Sequence, residues 1–202
     1  MYRWIETIKL INGIPQNLLY HQQRVNKTLL LHGCDTKFSL QHFFTNNPHS
    51  LQGTVKARIV YDANALIDFS FSPYQIKKIN SFAIVEAPGI EYAFKNEDRQ
   101  AFEEMKHLTN ADEIIITKNG MITDTSFSNL IFYKNKQWFT PNTYLLNGTK
   151  RQQLLNDKKI TETEISINNL YSFSHFKLIN AMIDLNEGEI YETKIINAVA
   201  NN

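Results

Sequence analysis

Two Asn-Gly pairs constrain this chain most strongly, because each lies next to runs of apolar residues. Asn12-Gly13 follows the predicted strand Arg3–Ile11, and Asn119-Gly120 joins the predicted strands Asp112–Thr117 and Met121–Asp124. Asn and Gly tolerate the positive φ angles that a two-residue hairpin turn requires. The sequence therefore predicts antiparallel hairpins near the start and in the middle of the chain.

Other strands and a few helices follow from the spacing of apolar residues. The further predicted strands are Thr54–Tyr61, Leu66–Ser72, Ser81–Val85, Ser128–Tyr133, Gln137–Phe139, Glu164–Ile167, Leu178–Ala181 and Ile190–Ile196. The predicted helices are Leu18–Leu31, Gln41–Phe44, Phe94–Thr109 and Lys150–Leu155. Strands and helices do not alternate regularly, and no G-x-G-x-x-G or P-loop motif is present, so the pattern indicates an α+β fold.

A break in the pattern divides the chain in two. The stretch Glu86-Ala87-Pro88-Gly89 follows a predicted strand and precedes a predicted helix, and we interpret it as a linker. The sequence thus predicts a small N-terminal α/β domain over residues 1–85. It predicts a larger, mostly antiparallel β domain with helices over residues 86–202.

Composition excludes several classes of function. The 202 residues carry 21 Lys and Arg against 20 Asp and Glu, so the net charge of +1 offers no basic surface for nucleic acid. The single cysteine, Cys34, excludes an internal disulfide framework, and no histidines lie at the spacing of a metal site. The chain has no apolar run near the roughly 20 residues that a membrane helix needs, and no signal-peptide core. We expect a cytoplasmic protein without membrane, nucleic-acid or metal partners.

Three segments carry candidate chemistry. Asp124 is the lone acid in the hydroxyl-rich stretch Asn119–Asn129, where hydrogen bonds to its charged form would keep its pKa low and suit it to a cationic ligand. Gly148-Thr149-Lys150 opens a predicted helix, whose first N–H groups can bind an anion. An exposed hairpin end and an ordinary helix start are the alternative interpretations.

Lys95 is the third candidate. It follows the aromatic and apolar residues Tyr92-Ala93-Phe94, at the predicted start of a helix. Burial and a helix N-terminus both lower the pKa of a lysine, which is what a Schiff-base lysine requires. Taken alone, a surface lysine is the alternative.

Together these motifs resemble the class IV aminotransferases, which are fold-type IV pyridoxal-phosphate enzymes. The resemblance spans about residues 4–185 and depends on the order of its motifs. They are Glu6-Thr7, His21-x-x-Arg24, Lys95-x-x-x-Arg99, NADE at Asn110–Glu113, NGMITDTSFSN at Asn119–Asn129, Thr140-Pro141, LLNGTKR at Leu145–Arg151 and INAM at Ile179–Met182. The family includes branched-chain and D-amino-acid aminotransferases and aminodeoxychorismate lyase.

The resemblance implies a set of cofactor-binding residues. Lys95 would be the Schiff-base lysine for pyridoxal 5'-phosphate, and Asp124 would pair with the pyridine nitrogen and keep it protonated. The other implied contacts fall into three groups. The phosphate would be bound by Arg24, by the backbone N–H groups of Thr149 and Lys150, and by the amide of Asn180. Ser128 and Asn129 would shape the loop beside the ring. Arg99 would lie near the phenolic oxygen of the ring.

The resemblance also implies the reaction and the partners. Lys95 would remove the α-proton of an amino acid, leading either to transamination or to an elimination that releases pyruvate, as in 4-amino-4-deoxychorismate lyase. The Ala181 N–H would face the substrate carboxylate, and Arg58 and Tyr61 would line the pocket. The family forms homodimers, so we expect one here.

Two departures from the family pattern leave an alternative open. The acid is Asp124 where the family usually has glutamate, so its reach to the ring is shorter by one methylene. The segment before Glu6-Thr7 is also shorter than in the family, and that segment normally helps to enclose the substrate. A non-catalytic pyridoxal-phosphate-binding regulatory or carrier protein is therefore the second hypothesis, although such a binder would not need Lys95.

Overall fold

A computed structural model describes residues 2–34, 38–49 and 51–197, and it confirms the predicted α+β class. These residues form two compact units. The first comprises the chain up to Ile76 together with Phe94–Asp98, and the second comprises Lys77–Ala93 and the chain from Arg99 onward.

The first unit is built on a four-stranded antiparallel sheet. Its strands are β1 (Trp4–Ile11), β2 (Ile14–Pro15), β3 (Thr54–Tyr61) and β4 (Leu66–Pro73), in the order β2-β1-β3-β4. The predicted turn between β1 and β2 is confirmed, because Asn12 and Gly13 have φ angles of 48° and 84°. Glycine accepts such angles without steric cost, and asparagine accepts them more readily than most residues.

Two helices complete the first unit. Helix α1 runs from Leu18 to Leu31, the predicted bounds, and α2 runs from Leu40 to Asn46. Helix α1 buries Val25 and Leu29 in the same apolar cluster as Ile8 of β1, because residues four apart lie on one face of a helix. Within the described ranges, no helix has both the length and the apolar character that crossing a membrane requires.

The second unit contains a mostly antiparallel sheet of nine strands within residues 77–197. The strands are β5 (Phe82–Glu86), β6 (Glu113–Lys118), β7 (Met121–Thr125), β8 (Asn129–Lys134), β9 (Gln137–Pro141), β10 (Thr161–Thr163), β11 (His175–Ile179), β12 (Tyr191–Glu192) and β13 (Ile196–Asn197). The main path is β10-β9-β8-β7-β6-β5-β13, and β11 pairs with both β8 and β12. Parallel pairing occurs between β5 and β6, between β5 and β13, and between β9 and β10.

Helices α3 (Gln100–His107) and α4 (Thr149–Asn156) belong to this second unit, as do two short 3₁₀ turns at Leu170–Ser172 and Thr193–Ile195. The core of the sheet is aliphatic and aromatic, and Ile115, Leu130 and Phe132 are fully buried in it. The Asn119-Gly120 turn between β6 and β7 has the predicted positive φ angles, 53° and 74°.

The predicted helix Phe94–Thr109 is wrong at its start, because α3 begins only at Gln100. Residues before it pair with β1 instead: the N–H of Ile5 donates to the carbonyl of Lys95, and the N–H of Glu97 donates to the carbonyl of Arg3. The short strand β2 covers only the other end of β1. Main-chain groups at the start of β1 therefore pair with the Lys95 segment, and Lys95 does not begin a helix.

The division into units also differs from the predicted boundary between residues 85 and 86. Strand β5 pairs along its whole length with β6, so Phe82–Glu86 belongs to the second unit. The predicted strand Glu164–Ile167 is displaced as well, since the strand observed there is β10, which ends at Thr163.

The neighbouring leucines 29 and 30 test the packing of α1. Leu29 is 3% exposed and Leu30 is 75% exposed. We expect Leu29→Ala to lower the free energy of unfolding by roughly 2–5 kcal/mol, because it removes buried methyl groups and leaves a cavity. Leu30→Ala should change it by less than about 0.5 kcal/mol. Urea unfolding of both variants provides the comparison, and equal losses would show that α1 is not packed as described.

Candidate functional site

The carboxylate of Asp124 accepts hydrogen bonds from two different segments of the second unit. It is buried near the end of β7, opposite Asn129 of β8 in the strand register. Its Oδ1 accepts a hydrogen bond from Asn129 Nδ2 at 2.8 Å. Its Oδ2 accepts the backbone N–H groups of Leu145 at 3.1 Å and Leu146 at 2.9 Å. One carboxylate thus joins β7 to β8 and to the loop before α4.

Burial raises the pKa of Asp124 to about 6. The hydrogen bonds from Leu146, Asn129 and Leu145 and the charge of Arg151 act in the opposite direction but do not outweigh burial. The expectation of a low pKa from the sequence is therefore wrong, because a sequence shows neighbouring donors but not the loss of solvent. The acid is ionised at neutral pH at a cost that a cationic ligand would offset.

Asn129 connects this acid to the start of α4. Its Nδ2 also donates to the carbonyl of Leu146 at 2.9 Å. Its Oδ1 lies only 2.1 Å from the position that a Cβ on Gly148 would occupy. No side chain fits at position 148 unless Asn129 moves, so glycine there is required by a close approach, while its φ of −63° is an ordinary one.

The N-terminus of α4 is formed as the sequence predicts, since the helix begins at Thr149 directly after Gly148. The first N–H groups of a helix lack intrahelical acceptors and carry the positive end of its dipole. The side chain of Lys150 is buried and donates to Asp184 Oδ2 at 2.6 Å and to Gln153 Oε1 at 2.7 Å. The side chain is thus committed to the protein, and the predicted role of Lys150 concerns its backbone N–H.

Two more predicted site residues, Ser128 and Asn180, contact each other beside the turn between β7 and β8. Asn180 Nδ2 donates to Ser128 Oγ at 2.8 Å, and Asn180 Oδ1 accepts the N–H groups of Met182 at 2.8 Å and Ile183 at 3.0 Å. Asn180 therefore shapes its own turn, which contains the half-buried Ala181. Arg99 donates from Nη2 to the carbonyl of Ser126, so its guanidinium fixes the same β7–β8 turn.

Glu113 supports this turn from β6, although the sequence indicated it only as part of the NADE motif. Its buried carboxylate accepts the N–H of Ser126 at 2.9 Å and lies 3.4 Å from Lys106 Nζ. The sequence contained one signal for a buried role of Glu113, because this acid directly precedes the three isoleucines 114–116.

In the first unit, Arg24 forms a two-point ion pair with Glu6. Arg24 Nε donates to Glu6 Oε1 at 2.8 Å and Nη2 donates to Oε2 at 2.6 Å. His21 Nδ1 lies 2.5 Å from the same Oε2. Glu6 and His21 are both completely buried. Sequence analysis indicated the motifs containing Glu6 and His21 but assigned neither residue a role.

The pKa values of Glu6 and His21 are both lowered in this cluster of Glu6, His21 and Arg24, but for different reasons. Burial alone raises the pKa of Glu6, but the charge of Arg24 and the hydrogen bonds from Arg24 and His21 outweigh it and bring the pKa to about 2. Burial lowers the pKa of His21 and the Glu6 contact raises it, while the positive charges of Arg24 and Lys95 lower it further. The net effect on the His21 pKa is a decrease, which favours the neutral ring.

Three further predicted site residues, Lys95, Tyr61 and Arg58, belong to the first unit. Lys95 is half-buried and acts electrostatically on His21, which places its charge near the cluster. Tyr61 is buried on β3, and burial together with the negative charge of Glu6 raises its pKa. Arg58 instead donates from Nη2 to Glu97 Oε1 at 2.7 Å.

Each unit, taken by itself, contains groups of the kind that bind pyridoxal phosphate. The first contains the guanidinium of Arg24, which suits a phosphate, and the amine of Lys95, which in its neutral form suits an aldehyde. The second brings together the acid Asp124, which suits a protonated pyridine nitrogen, and the helix start after Gly148, which suits a phosphate. In the described residues, no group of three or more His, Cys, Asp or Glu side chains is arranged to hold a metal ion.

Solved structures of other proteins share this architecture, and a further protein resembles the chain in sequence. The structure of a "putative 4-amino-4-deoxychorismate lyase" from Haemophilus somnus superposes with a TM-score of 0.84 at 35% identity, covering 92% of this chain and 98% of that one. The branched-chain amino acid aminotransferase of Escherichia coli superposes with a TM-score of 0.68 at 16% identity, covering 96% and 76%. An uncharacterized protein of Haemophilus influenzae is 37% identical over 186 residues, which are 90% of this chain and 98% of that protein.

The fold is thus the two-domain α+β fold of the fold-type IV aminotransferases. The family model for class IV aminotransferases matches residues 4–186. The chain belongs to the class IV aminotransferase family, as its motifs indicated.

Gly148 and Gly89 form a matched pair for testing the contact between Asn129 and α4. A Cβ on Gly148 collides with Asn129, whereas a Cβ on Gly89 meets nothing within 4 Å. We expect Gly148→Ala to displace Asn129 and to cost about 1–3 kcal/mol of stability. Gly89→Ala should leave the stability nearly unchanged. Thermal unfolding measures both variants, and a neutral Gly148→Ala would contradict the described contact.

The ion pair of Glu6 predicts a specific acid sensitivity. A pKa lowered from the ordinary 4.5 to about 2 corresponds to roughly 3 kcal/mol of stability. Because the folded pKa is the lower one, this contribution is complete above pH 4.5 and is lost as the pH falls toward 2. Glu6→Gln should therefore flatten the pH dependence of unfolding between pH 4.5 and 2.

Asp68, an exposed acid of β4, provides the control for that experiment. Asp68→Asn should keep the wild-type pH profile in urea unfolding experiments. A Glu6→Gln profile that stays as steep as that of the wild type would show that Glu6 is not the source of the acid sensitivity.

Proposed function

We propose that the protein is a pyridoxal-phosphate-dependent enzyme that acts on an amino acid, either as an aminotransferase or as a 4-amino-4-deoxychorismate lyase. One observation carries the proposal beyond family membership. Asp124 is ionised and buried, yet within the described ranges its hydrogen bonds come only from uncharged groups. A protonated pyridine nitrogen would supply the directly hydrogen-bonded cation that no described residue provides to this acid.

The proposed cofactor contacts are those that the family resemblance implies. Lys95 would bind the cofactor aldehyde. Arg24, the N–H groups of Thr149 and Lys150, and the amide of Asn180 bind the phosphate. Ser128 and Asn129 shape the loop beside the ring, and Arg99 supports that loop and lies near the phenolic oxygen.

Bound pyridoxal phosphate supplies an electron sink for the negative charge that develops at the substrate α-carbon. Asp124 would hold a proton on the ring nitrogen, and its buried position would strengthen that charge interaction. Once the substrate amine has replaced it at the aldehyde carbon, Lys95 would be a neutral amine that removes the α-proton as a general base, and for transamination it would deliver that proton to the former aldehyde carbon of the cofactor. In the lyase variant the same amine would assist the elimination that releases pyruvate.

The proposed substrate contacts are the backbone N–H of Ala181, directed at a carboxylate, with Arg58 and Tyr61 in the pocket. The NADE and INAM segments favour the lyase branch, and so does the name of the 35% identical Haemophilus somnus relative. Arg58 is held by Glu97, so it contributes to substrate binding only if that ion pair opens or shares its donors. We also propose a cytoplasmic homodimer, as the family resemblance implies.

Lys95 provides the direct test of the cofactor assignment. Lys95→Ala should abolish the absorption band that covalent attachment of the cofactor to the lysine produces, and all turnover, while leaving the unfolding temperature nearly unchanged. Lys78→Ala, at an exposed lysine of the second unit, should keep both properties. Absorbance titration with pyridoxal phosphate checks this, and activity that survives in Lys95→Ala would exclude the assignment.

Amino-acid addition separates the enzyme from a non-catalytic binder. The bound cofactor is exposed in turn to D-amino acids, L-amino acids and aminodeoxychorismate, with pyruvate and other keto acids as the products measured. An enzyme changes the cofactor absorption and releases product with one of these substrates. A cofactor-binding regulatory or carrier protein keeps its absorption unchanged with all of them.

A further inference from the structure

We propose that Glu6 and His21 are positioning residues, which hold the guanidinium of Arg24 in the one plane and orientation from which it binds a phosphate monoester. The inference deepens the proposed function and rests on it, because it assumes that Arg24 binds the cofactor phosphate. It concerns only groups of the first unit and their mutual contacts.

Hydrogen bonds from two residues fix the Glu6 carboxylate before it meets any ligand. Arg24 Nε binds Oε1, while Arg24 Nη2 and His21 Nδ1 both contact Oε2. Both oxygens are therefore held, and the carboxylate cannot rotate about its last bond without losing a contact. Because His21 and Glu6 are completely buried, no water replaces a lost partner cheaply.

The same contacts fix Arg24. The guanidinium group is planar and carries five N–H donors in a rigid fork. Pairing through Nε and Nη2 engages one side of the fork and directs the outer hydrogens of the two Nη atoms away from Glu6. Arginine binds phosphate through such a pair of parallel N–H groups, so its plane decides whether both donors reach the ligand.

The local architecture explains why these three residues meet. His21 and Arg24 are three residues apart on α1 and so lie on one face of the helix. Glu6 lies on β1, where it pairs with Ile59 of β3. The helix and sheet of one unit thereby present two donors to one acid.

Stability alone does not account for this arrangement. Replacing a buried ion pair by apolar residues of similar size is often neutral or stabilising, because both charges lose their hydration on burial. Glu6 also cancels the charge of Arg24, which reduces the long-range attraction for an anion. What the pair provides is a fixed orientation of the Arg24 guanidinium. A guanidinium in a fixed plane favours a phosphate ester that accepts two hydrogen bonds from it over an anion that accepts one.

The test compares pyridoxal phosphate with pyridoxal, which lacks the phosphate. The ratio of their dissociation constants measures what phosphate recognition contributes, and it does not require turnover. Glu6→Asp keeps the charge but withdraws the carboxylate by one methylene, so a purely electrostatic role predicts no change in this ratio. Positioning predicts that Glu6→Asp lowers the preference for the phosphorylated ligand about tenfold, with the affinity for pyridoxal changed less than twofold.

Arg24→Lys and the double variant Glu6→Asp/Arg24→Lys complete the design. If Glu6 acts through Arg24, the double variant should lose no more of the preference than Arg24→Lys alone. Asp68→Glu is the control on an exposed acid of the same unit and should keep the wild-type ratio. Thermal unfolding first establishes that each variant is folded, and His21→Gln replaces Glu6→Asp, with the same predicted loss, if the latter does not fold.

The outcomes distinguish the positioning role of Glu6 and His21 from the phosphate-binding role of Arg24. A loss in Arg24→Lys without a loss in Glu6→Asp, or additive losses in the double variant, would overturn the positioning role and leave the proposed function standing. A wild-type protein with no preference for pyridoxal phosphate over pyridoxal would overturn the role of Arg24 itself.

Discussion

The buried carboxylate of Asp124 is the interaction on which the second unit's site depends. It joins two strands and the loop before α4 through donors from Asn129, Leu145 and Leu146. Because these donors are uncharged, they do not fully compensate for the loss of water, and burial leaves the pKa of Asp124 at about 6. The site is thus assembled around a negative charge that a cationic ligand would stabilise. Gly148 belongs to the same assembly, since only a residue without a Cβ lets Asn129 occupy its position.

The first unit also buries an acid, but there a cationic side chain pairs with it. Glu6 is also fully buried, but Arg24 pairs with it at two points and brings its pKa to about 2. Glu6 therefore already has its cation, whereas among the described residues the hydrogen-bond donors to Asp124 are all neutral. The contrast indicates different roles for two acids of similar burial. One orients a side chain of the protein, and the other is suited to bind a charged group of a ligand.

Much of the fold could be predicted from the sequence because it is encoded locally. The Asn-Gly turns, the bounds of α1 and the start of α4 after Gly148 each depend on residues within a few positions of one another. The prediction failed where distant pairing decides the outcome. The Lys95 segment suits a helix by its own pattern, but it pairs with the main chain of β1 instead. The contact of Glu6 with His21 and Arg24 spans 15 to 18 positions, and the raised pKa of Asp124 depends on burial, so neither is visible in the order of residues.

The pKa of Asp124, measured by NMR of its side-chain carboxyl carbon with and without pyridoxal phosphate, tests the central claim most directly. The Asp124→Asn variant identifies the signal. Without the cofactor, the account predicts a pKa near 6, above the ordinary 3.8, because burial raises it and the donors to Asp124 in the described ranges are neutral. With the cofactor bound, it predicts a clear decrease, because a cation then faces the carboxylate. A pKa that is ordinary in the free protein, or one that the cofactor leaves unchanged, would contradict the account.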